Sequence, residues 1–277
     1  MSVKRFHLHL VSDATGETVS AVARACIVQF SNVEPIHHLW WLVRSPRQVD
    51  RVIDGIDANP GLVLATLVES ELRHRLEDAC RQRRIPVISV LDPVMAGLSA
   101  YLNAEFSTEP GRQHLLDAEY FDRIDAMHFT LAHDDGQMLE SLDSADIVLV
   151  GVSRTSKTPT CMYLANRGLK AANVPLVPNV PPPPELLAVR RPLVIGLTRD
   201  PKTLVGMRAT RLRLMNRTDD GGYADPDQVR DEIIHSRRLF EQHGWPIIDV
   251  TRRSIEEAAA TILQLYLERN KNAEVRL

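Results

Sequence analysis

The chain contains no long hydrophobic run. Its longest apolar stretches, Leu62–Val68 and Ile147–Val150, fall well short of the roughly 20 residues a membrane-spanning helix needs, so no membrane partner is expected. A secretory leader is not expected either, because His7, His9, Ser12 and Asp13 break the apolar character of the first residues. Cysteine is scarce. Cys26, Cys80 and Cys161 are odd in number and widely spaced, which matches no zinc pattern and suits a reducing cytoplasm. A surplus of one charge is also missing: 33 Lys and Arg stand against 36 Asp and Glu, and a net charge of −3 leaves no face-wide basic excess for nucleic acid. No internal repeat or disordered tail stands out.

What remains is a globular composition with 277 residues to spend, enough for one large domain or two ordinary ones. The most informative stretch runs from Asp146 to Thr160. Ile147-Val148-Leu149-Val150 reads as a buried strand, Gly151 permits a sharp exit, and Ser156-Lys157-Thr158 leads into a helix opening with Pro159. Strand, loop and helix in this order form a phosphate-binding loop. The amides of Gly151, Val152, Ser153, Arg154, Thr155 and Ser156 would curl around phosphate oxygens, helped by the partial positive charge of the helix N-terminus. Lys157 would reach the terminal phosphates, and the Thr158 hydroxyl would ligate their magnesium. Ser156 departs from G-x-x-x-x-G-K-S/T, which has a second glycine there, and a serine enters a tight left-handed turn only at a cost. The competing reading is an ordinary turn with a solvated lysine. Phosphate binding is preferred because the flanking strand, the spacing, the Lys-Thr pair and Pro159 all agree.

Upstream, Phe6–Val11 alternates as a first strand and runs into Ser12-Asp13-Ala14-Thr15-Gly16-Glu17-Thr18. Val19, Val22, Ala23, Cys26, Ile27 and Phe30 then follow helical spacing. A polar, glycine-containing loop between strand and helix is where open α/β sheets bind ligands, yet Asp13 or Thr15 capping the helix explains it equally well. His7 and His9 share a strand face without an evident third ligand, so core or edge histidines are expected, not a metal site. The alternation continues with strands at 36–43, 61–68 and 86–91 and helices at 46–58, 69–84 and 93–103. The expected fold class is α/β: a mainly parallel N-terminal α/β domain, residues 1–104, followed by a phosphate-loop α/β nucleotide-binding domain, residues 105–277. The boundary falls in a polar stretch, 104–111, containing Pro110 and Gly111.

In the second domain a helix at 114–127 precedes Phe129–Gly136, read as a loop. There His133, Asp134 and Asp135 could supply a general base or hold magnesium; from the residues alone, a capped, solvated turn is preferred. Strands are expected at 174–177, 193–197 and 245–250, a stiff proline connector at 179–184, a turn at 219–222, and helices at 201–214, 225–243 and from 254 onward. Arg208 and Arg211 lie three apart on one helix face, where they could clamp a phosphoryl group or simply face water. Asp249, at a strand end, is a weak match to a magnesium-side aspartate.

Four stretches together resemble one family, the bacterial and plastid pyruvate, phosphate dikinase regulatory proteins, whose relatives act on phosphoenolpyruvate synthase. They are Ser12-Asp13 with Thr15-Gly16-Glu17-Thr18, Thr130–Gly136, Gly151–Arg154 through Lys157–Thr160, and Gly196-Leu197-Thr198 with Asp200-Pro201. The resemblance covers almost the whole chain, and the family accepts serine or glycine at the Ser156 position. It implies a bifunctional enzyme. One activity is a serine/threonine kinase using ADP to phosphorylate an active-site threonine of the dikinase; the other removes that phosphate with inorganic phosphate as acceptor, giving pyrophosphate. Protein-kinase signatures are absent: no G-x-G-x-x-G loop, no H-R-D and no D-F-G.

In that context Lys157, the loop amides and magnesium on Thr158 would hold ADP. Asp134 or Asp135, with His133 as an alternative, would be the base for the target threonine. Arg208 or Arg211 would bind the transferred phosphoryl or incoming phosphate, and Ser12, Asp13 and Thr15 would contact phosphate or substrate. The expected partner is the dikinase, with the synthase as the sister target, and the expected assembly a homodimer in the cytoplasm. A phosphate-loop small-molecule kinase and a nucleotide-dependent switch without catalysis are the alternatives.

Overall fold

The computed structural model describes residues 3–109, 118–178, 180–216 and 222–274. The chain divides into two compact units, Met1–Leu115 and Leu116–Leu277.

The first unit alternates strand and helix throughout: β1 Lys4–Ser12, α1 Glu17–Ile27, β2 Val33–Trp40, α2 Pro46–Ala58, β3 Gly61–Thr66, α3 Ser70–Gln82, β4 Val87–Ser89 and α4 Asp92–Leu102. Its sheet is parallel in the order β2-β1-β3-β4. Period-two alternation along β1 sends Leu8 and Leu10 toward Val19 and Ala23 of α1. Val11 goes to the opposite face, among Val49, Val52 and Ile56 of α2 and Leu72, Leu76 and Cys80 of α3. Sandwiched this way, the inner strands are apolar on both faces, as parallel sheets require. The strand expected at 36–43 begins and ends three residues earlier. Leu42 takes a left-handed backbone (φ 56°), and the amides of Leu42 and Val43 turn back to the carbonyls of Ala14 and Ser12.

The second unit contains α5 Ala118–Ala132, two 3₁₀ segments at Asp134–Gly136 and Leu139–Ser144, β5 Ile147–Gly151, α6 Lys157–Ala165, β6 Ala171–Pro175 and α7 Pro184–Ala188. After these come β7 Leu193–Thr198, α8 Pro201–Leu214, α9 Pro226–Gln242, β8 Ile247–Asp249 and α10 Ile255–Glu274. Its parallel sheet runs β6-β5-β7-β8, the same order as the first. Ile147 and Leu149 pack on Cys161 and Leu164 of α6 and on Ala259 and Ile262 of α10, whereas Val148 and Val150 meet Leu186 of α7 and Phe240 of α9.

Several expectations are corrected here. Phe129–Ala132 is the last turn of α5 and not loop, because Thr130 docks the helix onto β6: its hydroxyl donates to the Ala171 carbonyl at 2.8 Å. Helix α6 starts two residues before Pro159, and β6 starts three residues before Val174. Part of the proline connector is helical, as α7, with Pro184 at its start. The start of the helix expected at 114–127, Pro110 and Gly111, Asn179, and most of the turn at 219–222 lie outside the described residues.

Candidate functional site

Strand β5 is buried along its whole length and delivers its loop at the sheet's carboxyl edge. A Cβ on Gly151 would press into the Leu197 carbonyl of neighbouring β7, so only glycine fits where the two strands run this close. Beyond it, Arg154 (φ 75°) and Ser156 (φ 63°) both adopt left-handed backbone, an unusual state for side-chain-bearing residues. The Thr155 hydroxyl donates to the Val152 carbonyl at 2.9 Å and braces the turn from inside.

Lys157, the first residue of α6, is 6% exposed, and its ammonium donates to the same Val152 carbonyl at 3.1 Å. Burial pushes its pKa down to about 8, against the opposing pull of Asp135 and Asp134. Such a cation gains from any anion that enters the loop.

At the next residue, the Thr158 hydroxyl donates to Asp134 Oδ1 at 2.9 Å. The Asn173 amide nitrogen on β6 donates to Asp134 Oδ1 at 2.6 Å and to the Thr158 oxygen at 2.9 Å. Asn173 Oδ1 is buried without a hydrogen-bond partner among the described residues. The Asp134 carboxylate and Thr158 hydroxyl oxygens are the hard donors that magnesium selects, so these residues fit the ion expected on Thr158. Among the described residues no cluster of three or more His, Cys, Asp or Glu could form a metal site of its own. A resident ion would therefore depend on oxygens of the bound phosphates.

The neighbouring acidic residue has a different setting. Asp135 is exposed, sits in left-handed backbone (φ 54°), and is the carboxylate that acts most strongly on Lys157. His133 is 4% exposed, with Nδ1 at 2.8 Å from the Phe129 carbonyl and Nε2 at 2.7 Å from Ser141 Oγ. Its carbonyl also accepts the Asn173 amide at 3.1 Å. Both ring nitrogens are engaged, so His133 positions the acidic pair and is not placed as an alternative base.

The arginine clamp does not form in this structure. Arg208 is 1% exposed and forked onto Glu232, with contacts of 2.7 and 3.1 Å. It also donates to the Tyr223 carbonyl at 2.9 Å and stacks over the Tyr223 ring. The Tyr223 hydroxyl in turn bonds Ser153 Oγ at 3.0 Å, so Arg208 buttresses the loop from behind. Arg211 is exposed on α8. Helical spacing made the two arginines neighbours; the burial of Glu232 beside one of them separates their roles.

Arg199 is a site residue that sequence reasoning missed. It follows β7, is 9% exposed, and donates to Ser156 Oγ at 3.0 Å and to the Met207 sulfur at 3.0 Å. Its Nε has no hydrogen-bond partner among the described residues, and the carboxylate that acts on it electrostatically is Asp249. A buried cation whose hydrogen bonds among the described residues go to a hydroxyl and a thioether can take an anion. Its signal was positional: a basic residue just past the strand beside β5, visible only once strand order is known. Asp249 serves its own turn, accepting the Thr251 amide at 2.8 Å.

In the first unit, Ser12 and Asp13 are buried at the end of β1, and Thr15 is exposed in the loop that follows.

A parallel sheet with a lysine-bearing, cationic loop at the strand-order switch point defines an α/β nucleotide-binding fold. A family model described as kinase/pyrophosphorylase matches residues 8–263, and the chain belongs to that family. Among its relatives, a protein of Paramagnetospirillum magneticum is 66% identical over 264 residues, covering 95% of this chain and 85% of its own. One of Rhodospirillum rubrum is 58% identical, covering 95% and 96%, and one of Caulobacter vibrioides 52%, covering 94% and 82%. All three are named, provisionally, as pyruvate, phosphate dikinase regulatory proteins. No described helix is long and apolar enough to cross a membrane.

Proposed function

We propose that this phosphotransferase regulates pyruvate, phosphate dikinase by moving a phosphoryl group between ADP and a threonine of that enzyme, and by returning it to inorganic phosphate. The observation that carries the reading is the facing arrangement of buried Lys157 and the Asp134–Thr158–Asn173 cluster, with Asp135 beside both. The names of the relatives support the choice of protein substrate.

In the forward direction the loop amides and Lys157 hold the ADP diphosphate, and Arg199 adds a second cation at Ser156. The threonine oxygen bonds to the β-phosphorus, the bond from that phosphorus to the bridging oxygen breaks, and AMP leaves. Asp135 accepts the threonine proton. In reverse, an oxygen of inorganic phosphate bonds to the phosphothreonine phosphorus, the threonine oxygen leaves and regains its proton, and pyrophosphate departs. Phosphoryl transfer needs charge neutralisation and in-line placement more than covalent help, which fits a site with no nucleophile of its own. Magnesium, held through Thr158 and Asp134, would supply charge neutralisation between the phosphate oxygens. Beside the loop, on the β6 side, a cleft of about 740 Å³ walled by Val152, Leu176, Pro181, Asp231 and His235 is large enough for the acceptor segment. The reading places the enzyme in the cytoplasm as a homodimer.

The test is phosphoryl transfer to dikinase pre-loaded with phosphate on its histidine, comparing ADP with ATP and using Lys157→Ala as control. ADP-dependent threonine phosphorylation lost in Lys157→Ala, and pyrophosphate release on adding phosphate, are expected. Transfer only to phosphoenolpyruvate synthase would reassign the target. Inactivity on both would overturn the proposal.

A further inference from the structure

Phosphoryl transfer runs in line, with the attacking and leaving oxygens on opposite sides of the phosphorus. In the sheet of the second unit, β5 and its loop lie between β6 on one side and β7 on the other. The carboxylates that serve the threonine in the function proposed above, Asp134 and Asp135, stand on the β6 side, tied there through Asn173. On that function the oxygen opposite the threonine belongs on the β7 side. In the forward direction this oxygen leaves with AMP; in reverse it arrives on inorganic phosphate.

The β7 side is where Arg199 stands. It is buried just past the strand and reaches the loop at Ser156, which enters α6 in left-handed backbone (φ 63°). A guanidinium carries five N–H donors, and a thioether is a weak acceptor. Among the described residues, Arg199 directs one nitrogen at Ser156 Oγ and one at the Met207 sulfur, and its buried Nε has no hydrogen-bond partner. A charged donor unsatisfied in the interior is unfavourable, so the spare N–H groups call for an acceptor oxygen. Asp249 acts on Arg199 electrostatically, but it accepts the Thr251 amide at 2.8 Å and pairs with Arg237 at 3.7 Å. The serine where phosphate loops have a second glycine also finds a use here. Its Oγ accepts from Arg199, which leaves its own proton to donate.

The chemistry selects the ligand. A planar fork of N–H groups matches tetrahedral phosphate oxygens. Inorganic phosphate has no base or sugar to add affinity, and, unlike the α-phosphate of ADP, it is not tethered to a group already held by Lys157. Its binding rests on charge and hydrogen bonds alone. We propose that Arg199, with Ser156, binds inorganic phosphate as the acceptor of the reverse reaction and sets its affinity separately from that of ADP. An oxygen of hydrogen phosphate bonds to the phosphothreonine phosphorus, the bond from that phosphorus to the threonine oxygen breaks, the threonine oxygen takes a proton from Asp135, and pyrophosphate leaves. The role that helical spacing offered to Arg208 and Arg211 thus falls to an arginine on another element. This inference rests on the function proposed above and names the residue that determines its phosphate specificity.

Two measurements on the full chain test it. The Nε–H resonance of Arg199, identified by its loss in Arg199→Lys, is followed by NMR during titration with inorganic phosphate at constant ionic strength. A saturable downfield shift is expected, and no shift up to tens of millimolar would overturn the proposal. In transfer assays, Arg199→Met should raise KM for phosphate by about 10- to 100-fold, the worth of a hydrogen bond to a charged group. KM for ADP should rise far less, because Lys157 still anchors the diphosphate. An unchanged KM for phosphate, or equal rises for both substrates, would overturn the proposal. A parent chain that transfers nothing to the dikinase would count against the function proposed above, and the resonance titration would still decide whether phosphate binds at Arg199.

Discussion

The Thr158 hydroxyl donates to Asp134 Oδ1 across 2.9 Å, and one Asn173 nitrogen binds both partners. On the proposed mechanism this commits Asp134 to the magnesium side of the site, while Asp135 is exposed and acts electrostatically on Lys157. Asp135→Asn is expected to lower the transfer rate by about 10²- to 10⁴-fold, the usual contribution of a general base. Asp134→Asn should instead raise the magnesium concentration giving half-maximal rate. Magnesium titrations of both variants would separate the roles, and the opposite pattern would exchange them.

Lys157 gives the site a pH limit. Its pKa, pushed down to about 8 by burial, means the ammonium is charged below that pH and neutral above it. Diphosphate affinity should be full below about pH 8 and fall as pH rises further, approaching tenfold per unit. Calorimetric titration of ADP across pH 7 to 9.5 would show this bend, and Lys157→Met should bind weakly with no bend. A parent whose affinity is flat across that range would disprove the assignment.

The Arg208–Glu232 pair predicts a stability effect in place of a substrate effect. Their side chains are 2% and 9% exposed, so removing one partner strands a buried charge. Glu232→Gln should destabilise the chain by about 3–5 kcal/mol in urea unfolding. Replacing both partners, with Arg208→Met and Glu232→Leu, should restore most of that loss. A stable Arg208→Ala with a selectively raised KM for phosphate would return the arginine to the substrate.

His9 makes the first unit sensitive to acid. It is fully buried, bonded at Nε2 to the Asn59 carbonyl (2.8 Å) and at Nδ1 to the Trp40 indole (3.2 Å), and stacked on His38. Burial, and the neighbours His38 and His7, lower its pKa from the ordinary 6.5; the Asn59 carbonyl pulls the other way. The unfolded chain therefore takes up the proton first, and stability held above pH 6.5 is lost as pH falls below it. Melting followed by tryptophan fluorescence, to which Trp40 and Trp41 contribute, should show a falling midpoint below that pH. His9→Gln should flatten the slope.

Local signals carried the readable parts of this molecule. Strand β5 and its loop were legible because a buried apolar run, a glycine and a Lys-Thr pair follow one another within a dozen residues, and the helix at Pro46–Ala58 was placed to the residue within the strand–helix alternation. The Thr158–Asp134 contact was not legible, since it depends on Thr130 and His133 docking α5 onto β6. The setting of Arg208 was hidden for a related reason: spacing tells which residues share a helix face but not that Glu232 stands opposite. The common strand order of the two sheets left no repeat in the residues, because parallel sheets constrain burial far more than identity.

The segment supplying Asp134 and Asp135 precedes β5 and is fastened to β6 by Thr130, His133 and Asn173. The cationic half of the site is thus continuous with the sheet, and the acidic half is a clip pressed on from outside. On the proposed mechanism, loosening that clip would leave a protein that still grips phosphates but has surrendered its proton acceptor, an off state reached without touching the nucleotide.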